Sequence, residues 1–162
     1  MNGIKSRGEG GGTAFLLAQV GAHAAITFAG RLEPLALRPA HAGILRIIGQ
    51  NGDMSQQELA ATLGMFPSRL VVVLDEMQNA RLVERRARDG DRRISEVHLT
   101  SEGEEMLRRV SEIAREHQDA LCAALTVEER GLLANLLRRI TDEQGLRPGV
   151  HPGYGATGSR KK

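Results

Sequence analysis

One stretch constrains the fold more than any other part of the 162-residue chain: Asp91-Arg92-Arg93-Ile94-Ser95-Glu96-Val97-His98-Leu99-Thr100. It reads as a charged turn, an imperfectly alternating strand with Ile94, Val97 and Leu99 as its apolar positions, and a helix start at Thr100. Asp89-Gly90-Asp91 supplies the turn, and Leu82-Val83-Glu84-Arg85-Arg86 the partner strand. The expected product is a small hairpin carrying Arg92 and Arg93 at its tip.

What precedes the hairpin is helical. An apolar periodicity near 3.6 runs from Thr13 to about Leu35 through Phe15, Leu16, Val20, Ala24, Phe28 and Leu32. Pro39 suits the first turn of a second helix ending near Gly52. Ser55-Gln56-Gln57-Glu58 is a capping box opening a short helix that Gly64 ends. Pro67 opens another, to about Ala80. After the hairpin, Thr100 caps a helix to roughly Ala124, and Thr126-Val127-Glu128-Glu129 is a second capping box for a helix to about Gln144. The fold class expected is mainly α with a small β-hairpin wing. It is a winged helix-turn-helix with N- and C-terminal dimerisation helices.

Charge distribution supports an oriented DNA contact, although the net charge is only +2. Residues 81–93 hold Arg81, Arg85, Arg86, Arg88, Arg92 and Arg93 against Glu84, Asp89 and Asp91, whereas residues 101–144 are net acidic. The Gly-rich tail has Arg147, Arg160, Lys161 and Lys162 and no acid, and Ser159-Arg160-Lys161-Lys162 is a candidate for non-specific contact with the DNA backbone. A single cysteine, Cys122, excludes an internal disulfide and multi-cysteine zinc patterns. No window approaches 18 consecutive apolar residues and the N-terminus lacks a signal-peptide core, so a cytoplasmic protein with no membrane partner is expected. Domain boundaries follow: 1–12 a flexible segment, 13–36 and 101–144 a helical dimerisation region, 37–100 the DNA-binding domain, and 145–162 a flexible basic tail.

The order of elements and these residues resemble the MarR family of bacterial transcriptional regulators over roughly residues 13–144. The specific parts are Asp91-x-Arg93 followed by Leu99-Thr100, and Leu59-Ala60, Leu63-Gly64, Leu74-Asp75, Met77 and Leu82-Val83-Glu84-Arg85 upstream. The resemblance implies an obligate homodimer and a small-molecule or redox ligand that weakens DNA binding. It also implies that Arg93 enters the minor groove while Asp91 steadies the wing.

On physical grounds the helix from Pro67 is the recognition element. Ser68 and Arg69 sit at its N-terminal end, where an arginine can form two hydrogen bonds to one guanine. Leu70, Val73, Leu74 and Met77 share an inward face. Phe66, Val71 and Val72 depart from the family pattern, which is polar or basic there; Val72 is expected at the DNA, its group touching thymine methyls or giving only modest readout. Arg86, Arg88 and Arg92 are expected at phosphates.

The ends offer apolar surface for a second copy: Phe15, Leu16 and Val20 on the first helix, and Leu132, Leu133, Leu136, Leu137 and Ile140 on the last. The resemblance implies an effector site near the junction of the dimer helices with the DNA-binding region, and His23, His41 and His117 are the candidates to line such a crevice. His117 with Glu116 and Asp119 resembles a metal site only loosely, since adjacent positions diverge around a helix, and neither metal nor cofactor is expected. Cys122 reads as a buried structural thiol deep in the fifth helix.

The function expected is a homodimeric, sequence-specific DNA-binding transcriptional regulator acting on a pseudo-palindromic double-stranded operator, a repressor released by an unknown small-molecule effector. The alternatives are a winged-helix module for protein contact alone, or a thiol-based redox sensor acting through Cys122. No catalytic constellation points to an enzyme; Gly10-Gly11-Gly12 follows no strand and cannot cradle a nucleotide.

Overall fold

The structure, a computed structural model, describes residues 11–88 and 90–151. Six helices and three short strands follow in the order α1 (Thr13–Leu32), α2 (Pro39–Asn51), β1 (Met54–Ser55), α3 (Gln56–Leu63), α4 (Pro67–Asn79), β2 (Val83–Arg88), β3 (Asp91–Leu99), α5 (Ser101–Leu121) and α6 (Val127–Glu143). Local signals fix most boundaries. Ser55 and Glu58 cap each other's amides at α3, and Thr126 and Glu129 do so at α6. Gly64 closes α3 in the left-handed region, φ 60°.

Two helix ends differ from the sequence expectation. The first helix stops at Leu32 and passes into a 3-10 turn, Glu33–Leu35, because Pro34 has no amide hydrogen with which to continue the α-helical ladder. The fifth ends at Leu121, so Cys122 is its half-buried C-cap and does not lie deep within the helix.

The sheet is antiparallel in the order β1-β3-β2. Val83 pairs with Leu99 and Arg85 with Val97, and the register shifts between Ala87 and Arg88 just before the turn. Met54–Ser55 adds a third strand opposite Val97 and Glu96, an element too short for any periodicity to announce.

The core lies between Leu32 and Val110. Leu32, Ile44, Leu45, Leu59, Leu63, Leu70, Leu74, Met77, Val83 and Val97 are fully buried, joining α2, α3, α4 and the sheet into one apolar cluster. Burying each of these side chains stabilises the lobe by about 2 kcal/mol before entropy is counted. Helix α5 starts hard against it: the Thr100 amide donates to the Leu82 carbonyl at 3.2 Å, and the Thr100 hydroxyl accepts from the Gly103 amide at 3.0 Å. A Cβ at Gly103 would fall inside the contact distance of that Leu82 carbonyl, so only glycine fits.

The end helices behave differently. Helix α6 buries no residue, and α1 buries only Leu32. Phe15, Leu16, Val20, Ile26, Leu132, Leu133, Leu136 and Ile140 are exposed. By length and composition Thr13–Leu35 also qualifies to cross a membrane, with a mean hydropathy of 1.3. Its few charges over 18 residues, rather than an unbroken apolar run, give that result, which the sequence expectation of no membrane-length segment had passed over.

Residues 145–151, expected to be mobile, lie against α2 and α3. Arg147 donates to the Ala61 carbonyl at the end of α3, Arg46 of α2 donates to the Gly149 carbonyl, and Val150 packs on the core. The rest of the tail, including Ser159-Arg160-Lys161-Lys162, and the first ten residues lie outside the described residues.

Candidate nucleic-acid interface

Helix α4 buries Leu70, Val73, Leu74 and Met77 on one side, and that packing alone aims its other side outward. Pro67, Ser68, Arg69, Val71 and Val72 are all exposed on its N-terminal half. The C-terminal half carries Asp75 and Glu76, two carboxylates that would repel phosphate. Each is covered by a cation. Arg85 of β2 reaches across to Asp75 at 2.6 Å, to Gln78 at 2.7 Å and to Gln56 of α3 at 3.1 Å, tying β2, α4 and α3 together.

Glu76 is held by Arg38 and His41. His41 Nδ1 accepts the Arg38 amide at 3.1 Å, so Nε2 carries the proton and donates to Glu76 at 3.0 Å. The His41 hydrogen bond, with Arg38 beside it, holds the Glu76 carboxyl below its ordinary value.

The wing presents Arg93, whose side chain is 93% exposed. The Asp91 carboxylate accepts the Arg93 amide at 3.0 Å and lies 3.4 Å from its Nε, so it fixes the backbone under the arginine while leaving the guanidinium in solvent. The other wing arginines are less free. Arg86 is paired with Glu84, and Arg88 is tied to Glu96 and, at 3.4 Å, to Glu58 of α3. Arg88 thus closes the wing onto α3 rather than pointing away. Arg92 belongs to β3, but its side chain lies outside the described residues, as does Asp89.

A family profile described as MarR family matches residues 37–94, from the start of α2 through the tip of the wing. Over that segment the chain is similar to the MarR family. A MarR-family structure, the transcriptional repressor CouR bound to a 23-mer DNA duplex, superposes with a TM-score of 0.72 at 28% identity, covering 80% of this chain and 92% of that one. Apo MarR of E. coli gives a TM-score of 0.71 at 23% identity, covering 82% of this chain and 98% of that one, a likeness of fold. In sequence the chain is 29% identical over 110 residues to a candidate transcriptional regulatory protein for the hcr operon of Thauera aromatica. That match spans 68% of this chain and 66%, just under two thirds, of that protein.

The three histidines do not share one crevice. His117 of α5 lines a groove of about 400 Å3 with Gly21, Ala24, Ala25 and Phe28 of α1, its ring 5.5 Å from that of Phe28. Burial pushes His117 below its ordinary value, with Arg31 and His23 adding to the shift, so His23 is within electrostatic reach. His41 faces a separate cavity beside Leu37, Glu76 and Leu82, where its hydrogen bonds give it a structural role. Nor do Glu116 and Asp119 turn toward His117: Glu116 faces Arg31 at 3.8 Å and Asp119 pairs with Arg130 at 2.8 Å. Among the described residues no cluster of three metal-ligating side chains occurs.

The sequence reading missed Arg85, the Arg38–His41–Glu76 cluster and the docked segment 145–151. Arg85 stood in the family pattern, but its partners lie on other elements and no local spacing announces them.

Proposed function

We propose that this chain is a homodimeric, sequence-specific DNA-binding regulator of the MarR family that represses transcription until a small molecule binds. The observation that carries the reading is the joint exposure of the N-terminal half of α4 and of Arg93, both standing on one packed lobe whose neighbouring carboxylates are already paired. Pro67, Ser68, Arg69 and Val72 enter the major groove. Asp91 sets the backbone from which Arg93 enters the adjacent minor groove, where narrow A·T tracts concentrate negative potential. Arg86 and Arg92 meet phosphates, and Arg88 contributes through the wing's shape.

The apolar faces of α1 and α6 are covered by a second copy, which sets two recognition helices about 34 Å apart for a pseudo-palindromic operator. The division into 13–36 and 101–144 for this region and 37–100 for the DNA-binding lobe is supported by the exposure of most of α1 and all of α6, although Leu32 and Val110 reach into the lobe's core. The effector enters the groove by His117 and His23. The protein works in the cytoplasm, where its DNA is, and by regulation rather than catalysis.

Fluorescence anisotropy with the duplex upstream of its own gene, against a scrambled duplex, tests DNA reading. Binding that survives competitor only on the first supports it; equal weak binding to both contradicts it. Sedimentation gives the assembly: a dimer is expected, whereas a monomer that partitions onto lipid vesicles would assign the apolar face of α1 to a membrane.

A further inference from the structure

Helix α4 starts without a side-chain cap, as α1 does at Gly12 and α2 at Arg38, but it alone of the three has a large exposed aromatic ring at that position. Helices α3, α5 and α6 begin at Ser55, Thr100 and Thr126, each accepting a hydrogen bond from an amide of its first turn. Helix α4 begins at Phe66, which makes no side-chain cap bond and leaves its ring 59% exposed. Beyond it Val72 is 58% exposed and Val71 41% exposed. Pro67 suits the first position of α4, but among the described residues no contact covers the three exposed apolar groups Phe66, Val71 and Val72 on its N-terminal half. A site that violates local consistency without an internal gain is where a ligand is expected to supply one.

We propose that Phe66 and Val72 are specificity-determining residues that read thymine, by packing on its C5-methyl group in the major groove. The proposal rests on the DNA-binding reading above and names the base class recognised. The methyl is the one apolar group that B-DNA presents in that groove, and it marks thymine against the other bases. The charge pattern suits this occupant: Arg69 is exposed beside the patch, Arg93 is exposed on the wing, and Asp75 and Glu76 are covered by Arg85, Arg38 and His41. Phe66 and Val72 are six residues apart, about 9 Å along the helix axis. The thymines they read therefore fall within about three base pairs of one another in each half-site, at a spacing of about 3.4 Å per step.

The test is selection of binding sites from a random duplex library with the wild-type protein, then anisotropy on the recovered duplex with deoxyuridine in place of each thymine. Deoxyuridine keeps pairing and backbone and removes only the methyl. Affinity should fall about fourfold at each contacted thymine, the transfer free energy of one methyl group expressed as a ratio of Kd values. Phe66→Ser and Val72→Ser should each abolish the thymine preference at one position. Phe66→Ser should also raise Tm, because serine restores the missing cap to the Arg69 amide; a merely structural Phe66 would lower it. Recovered sites that bind equally with thymine and deoxyuridine overturn the proposal while leaving the DNA-binding reading intact. Failure to recover any sequence, with equal affinity for scrambled duplex, overturns both.

Discussion

Arg85→Met removes the side chain that joins the wing to the recognition helix while keeping most of its apolar stem. Three hydrogen bonds go with it, to Asp75 at 2.6 Å, Gln78 at 2.7 Å and Gln56 at 3.1 Å. The arginine is 24% exposed, but Asp75 is 55% exposed, so water takes over much of what that carboxylate loses. The ion pair is therefore worth at most about 1 kcal/mol, and the two amide contacts add about 0.5 kcal/mol each. A loss of about 1–2 kcal/mol in equilibrium urea unfolding is expected, with the midpoint lowered and the slope unchanged. In a double-mutant cycle with Asp75→Asn, a coupling of about 0.5–1 kcal/mol should appear. DNA affinity should fall as well, since Asp75 would face phosphate uncovered. A stability change within about 0.3 kcal/mol together with unchanged DNA affinity would refute the reasoning, because the three contacts would then hold nothing in place.

Other consequences are as direct. Gly103→Ala pushes a methyl into the Leu82 carbonyl at the junction of wing and α5, and should cost about 1–3 kcal/mol in urea unfolding; a neutral result would mean that α5 shifts freely there. His117 has a folded pKa below its ordinary 6.5, so the unfolded chain takes up the proton first as pH falls. Its effect on stability is absent above 6.5 and becomes a loss as pH drops from there toward the folded value. His117→Gln should flatten the fall of Tm across that window, and parallel curves for variant and wild type would contradict the burial argument. Leu133→Arg and Leu136→Arg, on the exposed face of α6, should yield a monomer in sedimentation with near-native helicity.

What the sequence displayed and what it hid divide along the range of the interactions. Ser55 with Glu58, Thr126 with Glu129, Pro39, Pro67 and Gly64 act within four residues, and each set a boundary readable from the chain. The hairpin was readable too, because Gly90 and the alternation of Val97 and Leu99 are local. Strand β1 was not, since two residues become a strand only when β3 lies beside them. His41 shows the same limit at the site: its residue type suggested a ligand contact, but Glu76, 35 positions away, makes it a helix-to-helix link. Arg88 looked like a phosphate contact until the fold brought Glu96 and Glu58 to it. Arg93 was legible because its described partner, Asp91, lies only two residues back.

The central claim is that Arg93, an exposed cation whose described partner is the neighbouring Asp91, is delivered to DNA twice per dimer. The most direct measurement is the salt dependence of binding to the upstream duplex for wild type and Arg93→Ala. Two lost cation contacts at about 0.9 each should reduce the slope of log K against log salt by about 1.8, with a large loss of affinity at low salt. An unchanged slope and affinity would contradict the account, since the most exposed of the described wing arginines would then not touch DNA.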